Sequence, residues 1–353
     1  MSRMLGIVAA QVGPRPGDPA ATFDKFAAEV RTLAAQAPAF GMYVFPELYL
    51  SAVGSWDYAH PYGYGHQVAE TVPGPLTDRI GALAREVGKW IVPGSIYESH
   101  AGRIHNTALA FSPDGELVAR YRKIFPWMPF EGTAPGEEYT VFDVPGIGRF
   151  GLMICYDGWV PEIPRALAWM GAEVILQPTL TRTVDRMQEV ILARANAISN
   201  QAFIVNPNYG LAFGTGGSVI VDPEGRILVE GGAGEEFLTQ IIDLDTVRHT
   251  REFGTAGLNP VWKQLRDSPP PPFPQYRLGF AAGAIMNELG PMPVLGGGAP
   301  AAAQAAAPSA SAIADSAAGT PATIEIVLAD GNADGHSDAA SPAISERVRG
   351  AGG

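Results

Sequence analysis

The sequence predicts an α/β protein in which two β-sheets pack face to face and helices cover their outer sides. Three observations lead there. Short apolar runs alternate regularly with amphipathic helical segments from Leu5 to Glu230. Strands of that kind need both sheet faces covered, and a sandwich with outer helices supplies the cover. Two hairpins turn on related tetrapeptides, Pro113-Asp114-Gly115-Glu116 and Asp222-Pro223-Glu224-Gly225, as a duplicated half would. A single doubly wound sheet also satisfies the covering requirement; the paired turns favour the sandwich.

Taken in order, residues 5–12 read as a buried strand. Asp18 then stands as N-cap before Phe23, Phe26, Val30 and Leu33, which share one helical face. Residues 42–45 form a short strand that stops at Pro46-Glu47. Ile80, Leu83, Ala84 and Val87 line one side of a helix over 76–87, with Gly88 just past its end, and 90–97 form a third strand. The first hairpin pairs 107–112 with 117–121, and after a long loop 141–144 pairs with 149–154. Helix 162–170, strand 173–176, helix 185–199 and strand 203–206 follow, then the second hairpin of 217–221 and 226–230.

Residues 1–260 therefore read as the folded domain. The stretch 261–295, with prolines in a row from Pro269 to Pro272, reads as an extended arm lying at a subunit interface. Residues 296–353 turn to alanine, glycine, proline and serine, too little apolar surface to offset the entropy of ordering, so a flexible tail is expected.

Composition narrows the function. The 353 residues carry a formal net charge of -12, so no overall field draws in nucleic acid or an anionic membrane surface. One cysteine builds neither an intramolecular disulfide nor a multi-thiolate metal site, and the six histidines show no paired ligand spacing. Gly214-Thr215-Gly216-Gly217 lacks the lysine and serine of a phosphate loop. No metal or cofactor is expected. No apolar run approaches the roughly 18 residues of a membrane span, and the first residues read as a strand rather than a leader. A cytoplasmic protein is the expectation.

Three features carry chemistry. Cys155 ends an apolar strand at a turn into Tyr156-Asp157-Gly158-Trp159, beyond which a helix begins. There a thiol is exposed at the sheet edge near the positive end of a helix dipole, which lowers its pKa. Taken alone, it reads more readily as a buried core thiol. Glu47 follows the buried run Tyr43-Val44-Phe45-Pro46, where partial burial makes a carboxylate a base near neutrality, or where it is a solvated strand end. Third comes Tyr121-Arg122-Lys123-Ile124-Phe125-Pro126-Trp127-Met128-Pro129-Phe130-Glu131-Gly132, with Glu131 among aromatic residues. A surface lysine beside an ordinary loop acid leaves those aromatics and prolines unexplained.

In that chain order, the glutamate after a strand, the lysine after a hairpin and the cysteine at an elbow resemble the Glu–Lys–Cys triad of the nitrilase superfamily. The lysine loop is similar to that of aliphatic amidases and formamidases, and Cys155-x-Asp157-Gly158 followed by Pro161-Glu162-Ile163 resembles their nucleophile elbow. Nitrilases proper usually place tryptophan and glutamate after the cysteine, where this chain has Tyr156-Asp157. The resemblance implies a four-layer αββα sandwich and a homo-oligomer built from dimers that share a continuous core. It also implies roles: Cys155 as nucleophile, Glu47 as base, Lys123 with the Tyr156 backbone as oxyanion donors, Glu131 as support for Lys123, and Trp127 as pocket wall. Trp159 and the aromatic-rich segment from Trp56 to Tyr64 add bulk near the mouth. Amidases tend to carry an aromatic residue directly after the glutamate, where Leu48 stands here, and Pro178-Thr179-Leu180-Thr181-Arg182 is not their version. Those departures bear on substrate rather than mechanism.

The expected reaction is hydrolysis of a small carboxamide by water, through a cysteine thioester. A nitrilase or an N-carbamoyl hydrolase is the neighbouring alternative. A glutamine-amidase subunit and a non-catalytic scaffold are alternatives of another class.

Overall fold

Strands that are apolar on both faces build the centre of the molecule. The computed structural model describes residues 2–54 and 63–267. Its strands are β1 (Met4–Gln11), β2 (Phe40–Val44), β3 (Trp90–Val92), β4 (Ser95–His100), β5 (Arg103–Phe111), β6 (Leu117–Arg122), β7 (Thr140–Val144), β8 (Gly148–Leu152), β9 (Val174–Leu176), β10 (Phe203–Asn206), β11 (Val219–Val221), β12 (Ile227–Glu230) and β13 (Glu236–Asp243). The helices are α1 (Pro19–Gln36), α2 (Gly63–Val68), α3 (Pro75–Val87), α4 (Glu162–Trp169), α5 (Arg186–Asn200), α6 (Asp245–Phe253) and α7 (Val261–Asp267).

Two sheets result, ordered β13-β1-β2-β3-β5-β4, with β6 on β5, and β12-β11-β10-β9-β8-β7. Period-two alternation sends neighbouring side chains to opposite faces. From the first sheet Ile7, Ala9, Met42, Val44 and Val92 meet Phe150, Leu152, Val174, Leu176 and Val205 of the second. Their neighbours Val8, Tyr43 and Ile91 pack under Phe26 and Val30 of α1 and Ile80 of α3. On the far side Ile175, Ile204 and Val219 lie under Ile163 and Leu167 of α4 and Ala193 of α5. Each Val, Leu, Ile, Met or Phe among them contributes about 1.5–3 kcal/mol by leaving water. The layering is helix, sheet, sheet, helix, the predicted αββα sandwich.

Local signals act as the sequence implies. Asp18 caps α1 by accepting from the Ala21 N–H at 2.9 Å, and Gly88 closes α3 with φ of 64°. The related hairpin turns share one device: Gly115 and Gly225, each with φ of 79°, return their N–H groups to Ser112 and Asp222. The run 90–97 divides into β3 and β4 because Pro93 has no N–H and Gly94 turns with φ of 83°. Strand β13, antiparallel to β1, and helices α2 and α6 add to the predicted elements.

Beyond the sandwich, residues expected to begin an extended arm form α7 instead. Trp262 anchors it, donating to the Asn200 carbonyl at 3.0 Å and meeting Trp169 edge-on. The rest of the 261–295 arm, the 296–353 tail and the aromatic segment 55–62 lie outside the described residues.

Candidate active site

The end of β2 positions the first acid. Phe45 continues the ladder by donating to Val92, and the Glu47 N–H donates to the Thr179 carbonyl, three residues past β9. Glu47 therefore sits between the two sheets, 2% exposed. Its Oε1 accepts from Lys123 Nζ at 2.9 Å and Asn106 Nδ2 at 2.8 Å, and its Oε2 from the Leu180 N–H at 2.9 Å.

Lys123 leaves β6 with its N–H on the Asn106 carbonyl of β5, so its side chain enters the interior. Nζ also donates to Glu131 Oε2 at 2.6 Å. A tight turn brings Glu131 back to the lysine: its N–H donates to the Trp127 carbonyl at 2.7 Å, and the Trp127 N–H donates to Glu131 Oε2 at 3.0 Å. Asn106 Nδ2 and Thr133 Oγ1 satisfy Glu131 Oε1, each at 2.9 Å. Asn106 and Thr133 are buried partners that the sequence motifs did not reveal. The available signal for Asn106 was a polar residue next to an apolar strand.

Cys155 stands three residues beyond the end of β8 in a left-handed conformation, φ 43°, which a residue with a Cβ adopts only when its surroundings impose it. They do so from three sides. The Cys155 N–H donates to the Pro178 carbonyl, Gln177 Nε2 donates to the Cys155 carbonyl, and a single 3-10 turn (Cys155–Trp159) carries the chain onward. Asp157 locks this elbow to the lysine loop. Its Oδ2 accepts from the Ile154 N–H and the Tyr121 hydroxyl, and its Oδ1 from the Phe125 N–H. From α5, Asn196 donates to the Gly158 carbonyl and Arg194 to Gly225, both structural ties.

Over the thiol lies a cleft of about 370 Å³, its open mouth included, lined by Trp127, Tyr156 and Trp159 as well as Leu180, Thr181 and Arg182. The structure thus brings together all seven residues singled out in the sequence: Glu47, Lys123 and Glu131 as a buried ion-paired set, Cys155 with Trp127, Tyr156 and Trp159 at the cleft.

The electrostatics correct one expectation. Burial, then the negative charges of Glu47 and Glu189, push the Cys155 thiol well above its ordinary range, so the resting nucleophile is protonated. The 3-10 turn is too short for a substantial dipole, and α4 starts only at Glu162. A neutral thiol needs a base. Burial raises Glu47 above the ordinary carboxylate range, against the pull of Lys123. Glu131 is buried as well, but the Lys123 ammonium and its hydrogen bonds bring it below that range. Burial disfavours the Lys123 charge, yet Glu131 and Glu47 hold its pKa well up. Asp157 is pushed by burial to about 6.

A buried Glu–Lys–Glu set facing a cysteine elbow on an αββα sandwich defines a hydrolase of the nitrilase superfamily. Residues 7–252 match the carbon–nitrogen hydrolase family, and the chain belongs to it. The chain is 35% identical over 254 residues to an (R)-stereoselective amidase of Pseudomonas sp., across 68% of this chain and 86% of that protein. It is 30% identical over 224 residues to the omega-amidase NIT2 of Homo sapiens, across 58% and 79%. Among solved structures, an amidase from Nesterenkonia sp. superposes with a TM-score of 0.61 at 26% identity, covering 71% of this chain and 94% of that one. A variant of the Nesterenkonia amidase, 25% identical with a TM-score of 0.60, carries the acetamide moiety of fluoroacetamide covalently at its active-site cysteine. This chain is an amidase-type carbon–nitrogen hydrolase that works through a cysteine.

Proposed function

We propose that Cys155, Glu47, Lys123 and Glu131 together hydrolyse a small linear carboxamide to a carboxylic acid and ammonia. The observation that carries this assignment is Lys123 Nζ gripped between Glu47 Oε1 and Glu131 Oε2, next to the chain's one thiol. Glu47 takes the thiol proton as Sγ attacks the amide carbon. The oxyanion is met by Lys123 and by the backbone N–H of Tyr156, which opens a helical turn where no intrahelical acceptor serves it. The C–N bond breaks as Glu47 returns the proton to the leaving nitrogen, giving ammonia and a thioester. Glu47 then takes a proton from water, hydroxide adds to the thioester, and the C–S bond breaks to release the acid and restore the thiol. Trp127, Tyr156 and Trp159 wall the acyl group. One relative of similar fold has been captured with butyramide.

The same proposal includes a homo-oligomer built from dimers. Exposed Val184, Met187, Ile191 and Ile198 recur at helical spacing on and just before α5, an apolar stripe of the kind that association covers. Cytoplasmic residence is part of it too, since a nucleophilic thiol suits a reducing compartment.

Ammonia release from a panel of amides, nitriles and carbamoyl compounds tests the reaction, with Cys155→Ala as control. Turnover of amides by the wild type alone is expected, with an acyl adduct on Cys155 by intact mass. Equal ammonia release by the variant would overturn the assignment. Sedimentation of Ile191→Glu against wild type tests the dimer unit.

A further inference from the structure

Thr181 lies outside the acid–lysine set, yet its Oγ1 is 3.9 Å from Cys155 Sγ and it lines the cleft. The direction of its hydroxyl proton is fixed. Oγ1 donates to Glu189 Oε2 at 2.6 Å, and that oxygen also accepts from Arg186 Nη1 at 2.7 Å. Arg186 is held in turn by Asn206 Oδ1 and the Gly217 carbonyl, so the whole group is buried and braced. The Thr181 backbone is pinned on both sides by Asn208, through its N–H at 2.8 Å and its carbonyl at 3.0 Å. A hydroxyl has one proton and two lone pairs. With the proton committed to Glu189, Thr181 offers the cleft only an acceptor.

The position of that acceptor matches one substrate atom. Leu180 donates its N–H to Glu47 Oε2, so the base and the Thr181 hydroxyl are set by consecutive residues on one side of the thiol. When a carbonyl carbon bonds to Sγ, its oxygen turns to Lys123 and its nitrogen must turn to Glu47 to receive a proton. A nitrogen turned that way heads for the segment that carries Leu180 and Thr181, whose Oγ1 is 3.9 Å from the sulfur. Resting on the amidase reading above, we propose that Thr181, oriented by Glu189 and Arg186, accepts an N–H from the substrate's leaving nitrogen. It thereby selects carboxamides over esters of the same acyl group. Thr181 is then a substrate-binding residue for the –NH₂ end, and Glu189 a positioning residue that acts through it. Neither belongs to the Glu–Lys–Cys pattern legible in the sequence.

The test compares kcat/KM for a primary amide and for the p-nitrophenyl ester of the same acid. Both substrates form the same thioester, so their ratio isolates the acylation step. Thr181→Val keeps the branched shape and is expected to lower the amide-to-ester ratio by about tenfold. Thr181→Ser, which keeps the hydroxyl, is expected to preserve the ratio. Glu189→Leu removes the acceptor that commits the hydroxyl proton, which frees that proton to turn into the cleft, so the ratio is expected to fall although threonine is retained. Equal losses on amide and ester in Thr181→Val, or no loss on either, overturn the inference. Ammonia release by Cys155→Ala would instead overturn the amidase assignment itself, a distinguishable result.

Discussion

Asn106 of β5 holds Glu47 from two strands away, its Nδ2 2.8 Å from the Glu47 Oε1 that also faces the lysine. The same nitrogen reaches Glu131 Oε1 at 2.9 Å, so one amide spaces two buried acids. Asn106→Leu removes that spacer while roughly keeping volume. A fall in kcat of about tenfold to a hundredfold is expected, with KM little changed, because the lost contact orients the base rather than the substrate. Steady-state ammonia assays decide it; a wild-type kcat would refute the role.

The pH profile follows from the neutral thiol and the raised Glu47. Activity requires Glu47 ionised, so kcat/KM is expected to fall as pH drops, with its acid midpoint above the ordinary value of 4.5. An acid limb at or below that value would place the base elsewhere.

Lys123 carries the only positive charge placed between Glu47 and Glu131 in this set. Lys123→Met leaves two buried carboxylates facing one another, a loss of about 3–5 kcal/mol, besides abolishing turnover. Glu131 supplies the pH signature. Its pKa in the fold is lowered, so its contribution to stability is present above the ordinary value of 4.5 and lost as pH falls through the lowered one. Denaturant unfolding between neutral and acid pH is expected to show that loss in the wild type and not in the variant.

Gly94 controls the base from outside the site. A Cβ there would lie 1.7 Å from the Pro46 carbonyl oxygen, and its φ is 83°. Gly94→Ala is expected to cost more than the roughly 1–3 kcal/mol of backbone strain alone, since Pro46 must move and Glu47 with it. Thermal melts and the kcat of the folded fraction should both fall; an unchanged kcat would uncouple Gly94 from the base.

Much of this was legible in the chain. Glu47, Lys123, Glu131 and Cys155 were legible as a set rather than singly: Cys155 alone reads as a core thiol, and the aromatic, proline-rich loop around Lys123 and Glu131, taken in chain order with the other two, gives the pattern. The layers follow from alternation, as at Ile7 and Val8, which face the opposite sheet and α1 respectively. Asn106 escaped because the first hairpin strand begins at Arg103, four residues before the apolar run that marked it. Thr181 and Glu189 escaped for a different reason: they meet across a loop and a helix, and only the fold sets a threonine proton against a particular carboxylate. The raised thiol pKa was hidden likewise, since it depends on burial beside Glu47 and Glu189.

The reacting groups are divided between the two sheets. Glu47 and Lys123 follow β2 and β6 and Asn106 lies within β5, whereas Cys155 and Thr181 follow β8 and β9. Turnover is therefore a gauge of how the sheets are aligned. A slip of about 1 Å between them, too small to alter any strand, is enough to cost on the order of a hundredfold in rate. The greasy filling of Met42, Val44, Leu152 and Leu176 thus acts as a bearing that keeps two half-sites in register. Mutations that soften it should silence the enzyme while its circular dichroism still looks native.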